Sequence, residues 1–233
     1  MSQRDDILGV VASDLATSAL ALARRFAQGA TLWCWAPSAA QHAQHVAVEF
    51  VHPVIAGTRA LPAVALVDHD AAGALRPMAR AGDVLLVVAG ADAPVAATMR
   101  RAEAWGLTSI WMGTGPRPSV SPADHLLWLS DDPTAEHDGR LVLGYHVLWE
   151  LTHVCFEHPG LLAEGGGGAD EGTVCMTCSD EGRLGEVTAS GGDDATVRTA
   201  TGTETVSIVM VGAVEPGDLV LVHAGTAITV VDG

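Results

Sequence analysis

Cys175-Met176-Thr177-Cys178-Ser179-Asp180 sets two thiols one helical or hairpin turn apart, and Val220-Leu221-Val222-His223-Ala224-Gly225 adds an imidazole far downstream. Short strand-like segments broken by glycine turns separate them, so one small barrel can bring all three groups together. Two soft sulfur ligands and an imidazole suit a transition metal better than acid–base work on a sugar or a peptide. A Cys-x-x-Cys pair also fits a redox couple or a small structural zinc site. A second group lies in the first half of the chain. His45 and Glu49 are spaced i,i+4 and share one helix face, and Asp138 and His146 lie eight apart on another predicted helix. The plain alternative for these four is a polar patch at a subunit contact or a hydrogen-bonded core.

The elements that must carry these residues fall into two grammars. Leu15, Ala19, Leu22 and Phe26 recur at helical spacing behind Asp14, a plausible N-cap, which predicts a helix over 14–27. Strands at 31–35, 63–67, 84–88, 109–112 and 126–129 then alternate with helices. Ser38 is placed to cap the second helix, and Pro94 fits the first turn of the fourth. Asp132-Pro133 is expected to open a long helix running to about Glu157. Alternating strands and helices imply an α/β fold with a parallel sheet covered on both faces. Gly165 to Gly168 interrupt this pattern in a linker-like stretch. Beyond it strands are expected at 183–188, 195–199, 204–209, 219–222 and 226–231, with turns at Gly191-Gly192, Thr201-Gly202 and Pro216-Gly217. The division is residues 1–162, an α/β domain; 163–172, a glycine-rich linker; and 173–233, a β-barrel.

Composition removes several function classes. A net charge of −16 opposes binding to a nucleic-acid backbone, which needs clustered cations. No apolar run nears the roughly 18 residues of a membrane span. The opening Met1-Ser2-Gln3-Arg4-Asp5-Asp6 is not a basic region followed by an apolar core, so a cytoplasmic location is expected. Four cysteines in 233 residues do not make a disulfide framework. The six tryptophans fall at apolar positions and are expected in cores or contacts. His42, His137, His153 and His158 read as surface or capping histidines.

Two resemblances sharpen this reading. Gly217 to Ile228, Gly-Asp-Leu-Val-Leu-Val-His-Ala-Gly-Thr-Ala-Ile, resembles the Gly-Asp-x-Val-Leu-Val-His-x-Gly-x-Ala-Ile stretch of the HypC/HupF hydrogenase assembly chaperones. The resemblance implies a five-stranded, OB-like barrel and no catalysis. It implies that Cys175 ligates the iron of the Fe(CN)2CO centre, with His223 as second ligand or its support and Cys178 as an additional thiolate. The implied partners are a HypD-like maturation protein and a [NiFe]-hydrogenase large subunit. Cys175 departs from the family in being internal, rather than following an initiator methionine.

The first half is similar to the SIS (sugar isomerase) domain, in particular its phosphoheptose isomerase branch. Gln44-His45-Val46-Ala47-Val48-Glu49-Phe50, Leu61-Pro62-Ala63-Val64-Ala65-Leu66 and Gly82-Asp83-Val84-Leu85-Leu86 carry this likeness. It implies a flavodoxin-like sheet, a homodimer, and a zinc ion held by His45, Glu49, Asp138 and His146. It also opens an alternative function, a phosphosugar-binding or isomerase protein with an accessory metal-binding barrel. Two departures count against that alternative. The family's serine-rich phosphate loop is replaced by Ala89-Gly90-Ala91-Asp92-Ala93-Pro94, which has no hydroxyl and an added carboxylate. Its glycine-rich companion is replaced by Trp35-Ala36-Pro37-Ser38-Ala39, which loses the close backbone approach glycine permits.

Overall fold

The computed structural model describes residues 5–53, 58–132, 134–135, 139–163 and 182–231, with side chains of the first helix from Val11 onward. Helix α1 (Asp5–Ala27) closes on Arg24 and Arg25, which complement the negative end of its macrodipole. It begins nine residues before the expected start at Asp14. Asp14 is exposed in mid-helix, its carbonyl accepting Ser18 Oγ at 2.7 Å. The buried stripe simply continues upstream through Val11.

Strands β1 (Leu32–Trp35), β2 (Ala63–Leu66), β3 (Val84–Val88), β4 (Thr108–Thr114) and β5 (His125–Ser130) form a parallel sheet in the order β2-β1-β3-β4-β5. Alternation of side chains along each strand splits the interior into two cores. Leu32, Cys34, Leu86, Ile110 and Met112 face α1, α2 (Ala40–Val51) and α5 (Arg140–Glu157). Trp33, Trp35, Leu85, Val87 and Trp111 face α3 (Ala71–Met78) and α4 (Ala93–Ala104). All six tryptophans are buried, as expected. Asp83, at the foot of β3, ties this edge together. It accepts Thr31 N at 2.8 Å, and Trp33 Nε1 and Arg80 N at 3.0 Å each.

Two cap expectations fail. Ser38 does not cap α2, whose N-cap is Ala39 without a side-chain bond. Asp132 opens no long helix: it accepts Thr134 N and Oγ1 in a local turn, and α5 starts at Arg140 behind Gly139 in the left-handed region. Asp92 does cap α4, accepting Val95 N at 2.9 Å, with Pro94 in the first turn.

After α6 (Pro159–Leu162), strands β6 (Arg183–Gly191), β7 (Asp194–Thr199), β8 (Gly202–Ser207), β9 (Leu219–His223) and β10 (Thr226–Val231) close a barrel in the order β10-β8-β7-β6-β9. Val187, Val197, Val206, Val220, Val222 and Ala227 fill it. The other face of the β6–β9 ribbon does not look into water. Leu219 is buried in the tryptophan core of the first domain, and Leu184 and Val231 pack on that core.

Glu186 of β6 is 1% exposed and lies in this contact. Arg76 of α3 donates Nη2 to its Oε1 at 2.7 Å, and Trp105 Nε1 donates to its Oε2 at 2.8 Å. In return Arg198 of β7 donates to Arg76 O at 2.8 Å and Ala79 O at 3.0 Å, satisfying carbonyls that the end of α3 leaves open. Its guanidinium also stands 5.5 Å from the Trp105 ring centroid. Gly106 permits the approach: a Cβ there would stand 3.1 Å from Ala200 Cα, at a φ of +72°.

Removing Arg76 would take the hydrogen-bonded cation from the buried Glu186 carboxylate and leave only Arg101 Nε, 3.9 Å away, at a cost of up to roughly 3–5 kcal/mol. Arg76→Ala should therefore lower the denaturant midpoint sharply, whereas the double change Arg76→Met, Glu186→Leu should regain most of the loss. A single variant as stable as the parent chain would mean that the contact is not formed in solution.

Candidate metal centres

Helices α2 and α5 lie side by side on the outer layer of the first core and present one cluster to a half-open surface. His45 Nε2 stands 3.3 Å from Glu49 Oε1, one turn further along α2. His146 Nε2, from α5, stands 3.6 Å from the same oxygen and 3.1 Å from His45 Nε2. A tetrahedral zinc with bonds of about 2.0–2.1 Å has ligand–ligand edges of about 3.3–3.4 Å. The three donor atoms are thus spaced as one face of such a tetrahedron, and they form a metal-capable group among the described residues. Asp138, the expected fourth ligand, lies outside the described residues, and α5 begins after it.

Tyr145, the only tyrosine in the chain, was not singled out by spacing, yet its hydroxyl is 2.9 Å from His45 Nδ1 and 3.5 Å from His42 Nδ1. Burial, then the nearby Glu49 charge, pushes its pKa up to about 12, so the phenol stays neutral. Its oxygen can accept the Nδ1 proton of His45, the tautomer that leaves Nε2 open to a metal. Of the histidines read as surface residues, His153 departs. It is buried, with Nδ1 2.9 Å from Trp149 O and Nε2 3.1 Å from Arg59 O. Two carbonyls compensate its burial. His158 is exposed at the end of α5, and His137 lies outside the described residues.

Helix α2 leaves β1 toward one face of the sheet and α4 leaves β3 toward the other, so the crevice between β1 and β3 is the switch point where open α/β sheets bind ligands. A cavity of about 290 Å³ occupies it, lined by Ser38, His42, Ala89, Asp92 and Thr114 among others. Its chemistry does not favour an anion. At the start of α4 the Val95 N–H is already held by Asp92 Oδ1 and the Ala96 N–H by Asp92 O, and Pro94 has no N–H.

The barrel holds the second candidate. Val220 and Val222 point into its core, so Leu219, Leu221 and His223 take the opposite face of β9. His223 is half-buried at the strand end, ahead of a turn with Ala224 at φ +47° and Gly225 at φ +75°. Antiparallel pairing sets Arg183 opposite Val222, so the chain enters β6 beside His223. Cys175 and Cys178 lie upstream of that entry and outside the described residues.

Residues 182–233 match the HupF/HypC family. His223 is inside the match, and Cys175 and Cys178 precede it. The first domain has the fold of phosphoheptose isomerases. The enzyme from Francisella tularensis is 17% identical with a TM-score of 0.53, over 64% of this chain and 89% of that one. The enzyme from Neisseria gonorrhoeae is 20% identical with the same TM-score of 0.53, over 64% and 91%. At these identities the likeness concerns the fold alone. No curated protein sequence matches the chain. A domain with the fold of phosphoheptose isomerases thus precedes a segment that matches the HupF/HypC family, the parallel sheet and the closed barrel both as expected from sequence. No helix among the described residues is long and apolar enough to cross a membrane.

The spacing of His45, Glu49 and His146 predicts one zinc per chain in protein purified without metal-affinity steps. At a hundredfold excess over Kd, zinc should stabilise the fold by about 2.7 kcal/mol, or roughly 5–10 °C in Tm. A His45→Ala, His146→Ala variant should lose both the metal and the shift. An unmodified chain that holds no stoichiometric metal and melts unchanged would refute the site.

Proposed function

We propose that this protein is a non-enzymatic maturation chaperone that helps assemble or deliver the Fe(CN)2CO centre of a [NiFe]-hydrogenase large subunit, working with a HypD-like partner. The match of residues 182–233 to the HupF/HypC family carries this reading. Iron is the cargo. Cys175 supplies the polarisable thiolate that low-spin Fe(II) favours, with His223 as second ligand or support and Cys178 as an auxiliary thiolate. The pairing of β6 with β9 supports it, because the chain that carries both cysteines enters the barrel beside His223. Cys178 is five residues ahead of Arg183, a reach of at most about 18 Å along the chain.

The SIS-type domain serves as a rigid platform for the barrel. The 89–94 loop at its switch-point cavity carries Asp92 and no hydroxyl, which weighs against isomerase chemistry on a sugar phosphate. A second role is favoured by the tetrahedral spacing of His45, Glu49 and His146: this group would hold zinc, with Tyr145 orienting His45. Such an ion would tie α2 to α5 as a structural element. The exposed Val48, Leu143 and Val154 on these two helices support a homodimer through the same domain. Light scattering of the full chain at micromolar concentration should return the dimer mass, and a monomer mass would count against that pairing.

In cells that depend on this chain for hydrogenase maturation, Cys175→Ala should abolish activity while leaving the thermal melt unchanged. His223→Ala should lower activity severely, and Cys178→Ala less so. Full maturation by the Cys175→Ala protein would put the iron on other residues.

A further inference from the structure

The geometry points to a binding site for a small phosphate-class oxyanion at the foot of the parallel sheet, the pole opposite the switch-point cavity. Two adjoining clefts of about 390 Å³ and 530 Å³ share Arg25 and Gln28 as a common wall. Arg24 joins the first cleft, and Arg80, from the turn after α3, joins the second. Three of the twelve basic residues in a chain of net charge −16 therefore line one depression.

These arginines differ from those that hold the fold together. Arg76, Arg101 and Arg183 each meet a glutamate, whereas no carboxylate among the described residues lies within 4.0 Å of Arg24, Arg25 or Arg80. Two of the three guanidinium groups are nonetheless anchored. Arg25 Nε donates to Thr108 Oγ1 at 2.9 Å, and Arg24 Nε donates to Leu161 O at 3.2 Å. Each is held by one edge, leaving the paired Nη groups to grip an oxyanion through two parallel N–H bonds. Asp124 lines the first cleft and Asp83 the second, and each already accepts donors of the fold. Asp83 takes the Thr31, Trp33 and Arg80 N–H groups, and Asp124 Oδ2 takes both donors of Ser109. Burial holds the His125 imidazole below its ordinary pKa, so at neutral pH the positive charge of the cleft comes from arginine.

Compensation of the α1 macrodipole explains Arg24 and Arg25, which sit in its last turn. It does not explain Arg80, which belongs to another element and turns to the same cleft. The combined volume suits a small molecule carrying one or two phosphoryl groups. Surrounding negative charge would keep weaker anions away, so the bound anion must be one that accepts several charge-assisted bonds at once.

Inorganic pyrophosphate is the probe, titrated calorimetrically into the full chain at constant ionic strength with chloride as the balancing anion. Saturable binding at millimolar concentration or below is expected, weakened at least about tenfold by the pair Arg25→Gln, Arg80→Gln. Arg117→Gln, next to the switch-point cavity, and His45→Ala, in the metal-capable cluster, should leave it unchanged. No saturable binding, equal binding to the Arg25/Arg80 variant, or loss in the Arg117 or His45 variant would each overturn the assignment. A thermal melt of every variant separates lost binding from lost fold.

Discussion

A carboxylate buried between two domains sets the terms for everything else in this molecule. Glu186 is 1% exposed, and an isolated charge at that depth would cost several kcal/mol. Arg76 and Trp105 compensate it from the first domain, and Arg198 answers from the barrel by closing the open carbonyls of α3. Each half therefore completes a deficiency in the other. The barrel is too small to bury Leu184, Leu219 and Val231 itself, and it uses the tryptophan core of the sheet domain to do so.

This arrangement gives the two halves distinct roles. Glu186 and Leu219 occupy the docked end of the β6–β9 ribbon, and Arg183 and His223 occupy the other. Anchoring one end fixes the orientation of the end that carries the candidate iron ligand. The sheet domain meanwhile has the fold of phosphoheptose isomerases. At the switch point the Asp92 carboxylate is taken up by the start of α4, and Arg24, Arg25 and Arg80 line the opposite pole.

Much of this was legible in the sequence, and the failures have physical causes. Period-two and period-3.6 patterns located every strand of both sheets to within a few residues, because burial dictates them directly. The pairing of His45 with Glu49 followed from helical spacing, and His146 met them because α2 and α5 pack together. Asp14 and Ser38 looked like caps, but a cap depends on backbone dihedrals that residue type alone does not determine. Glu186 gave no signal at all. A glutamate on the outer face of a strand reads as solvated, and only tertiary packing turns that face toward another domain. Tyr145 was hidden for a related reason: its single appearance in the chain is visible, but its contact with His45 is made across two helices.

The central claim is that the barrel binds iron carrying cyanide and carbonyl through Cys175 beside His223. It is tested most directly by infrared spectroscopy of the full chain purified together with its HypD-like partner. The account predicts cyanide and carbonyl stretching bands from the complex, lost on Cys175→Ala while the two proteins still co-purify. Bands that persist unshifted in the Cys175→Ala complex would contradict it.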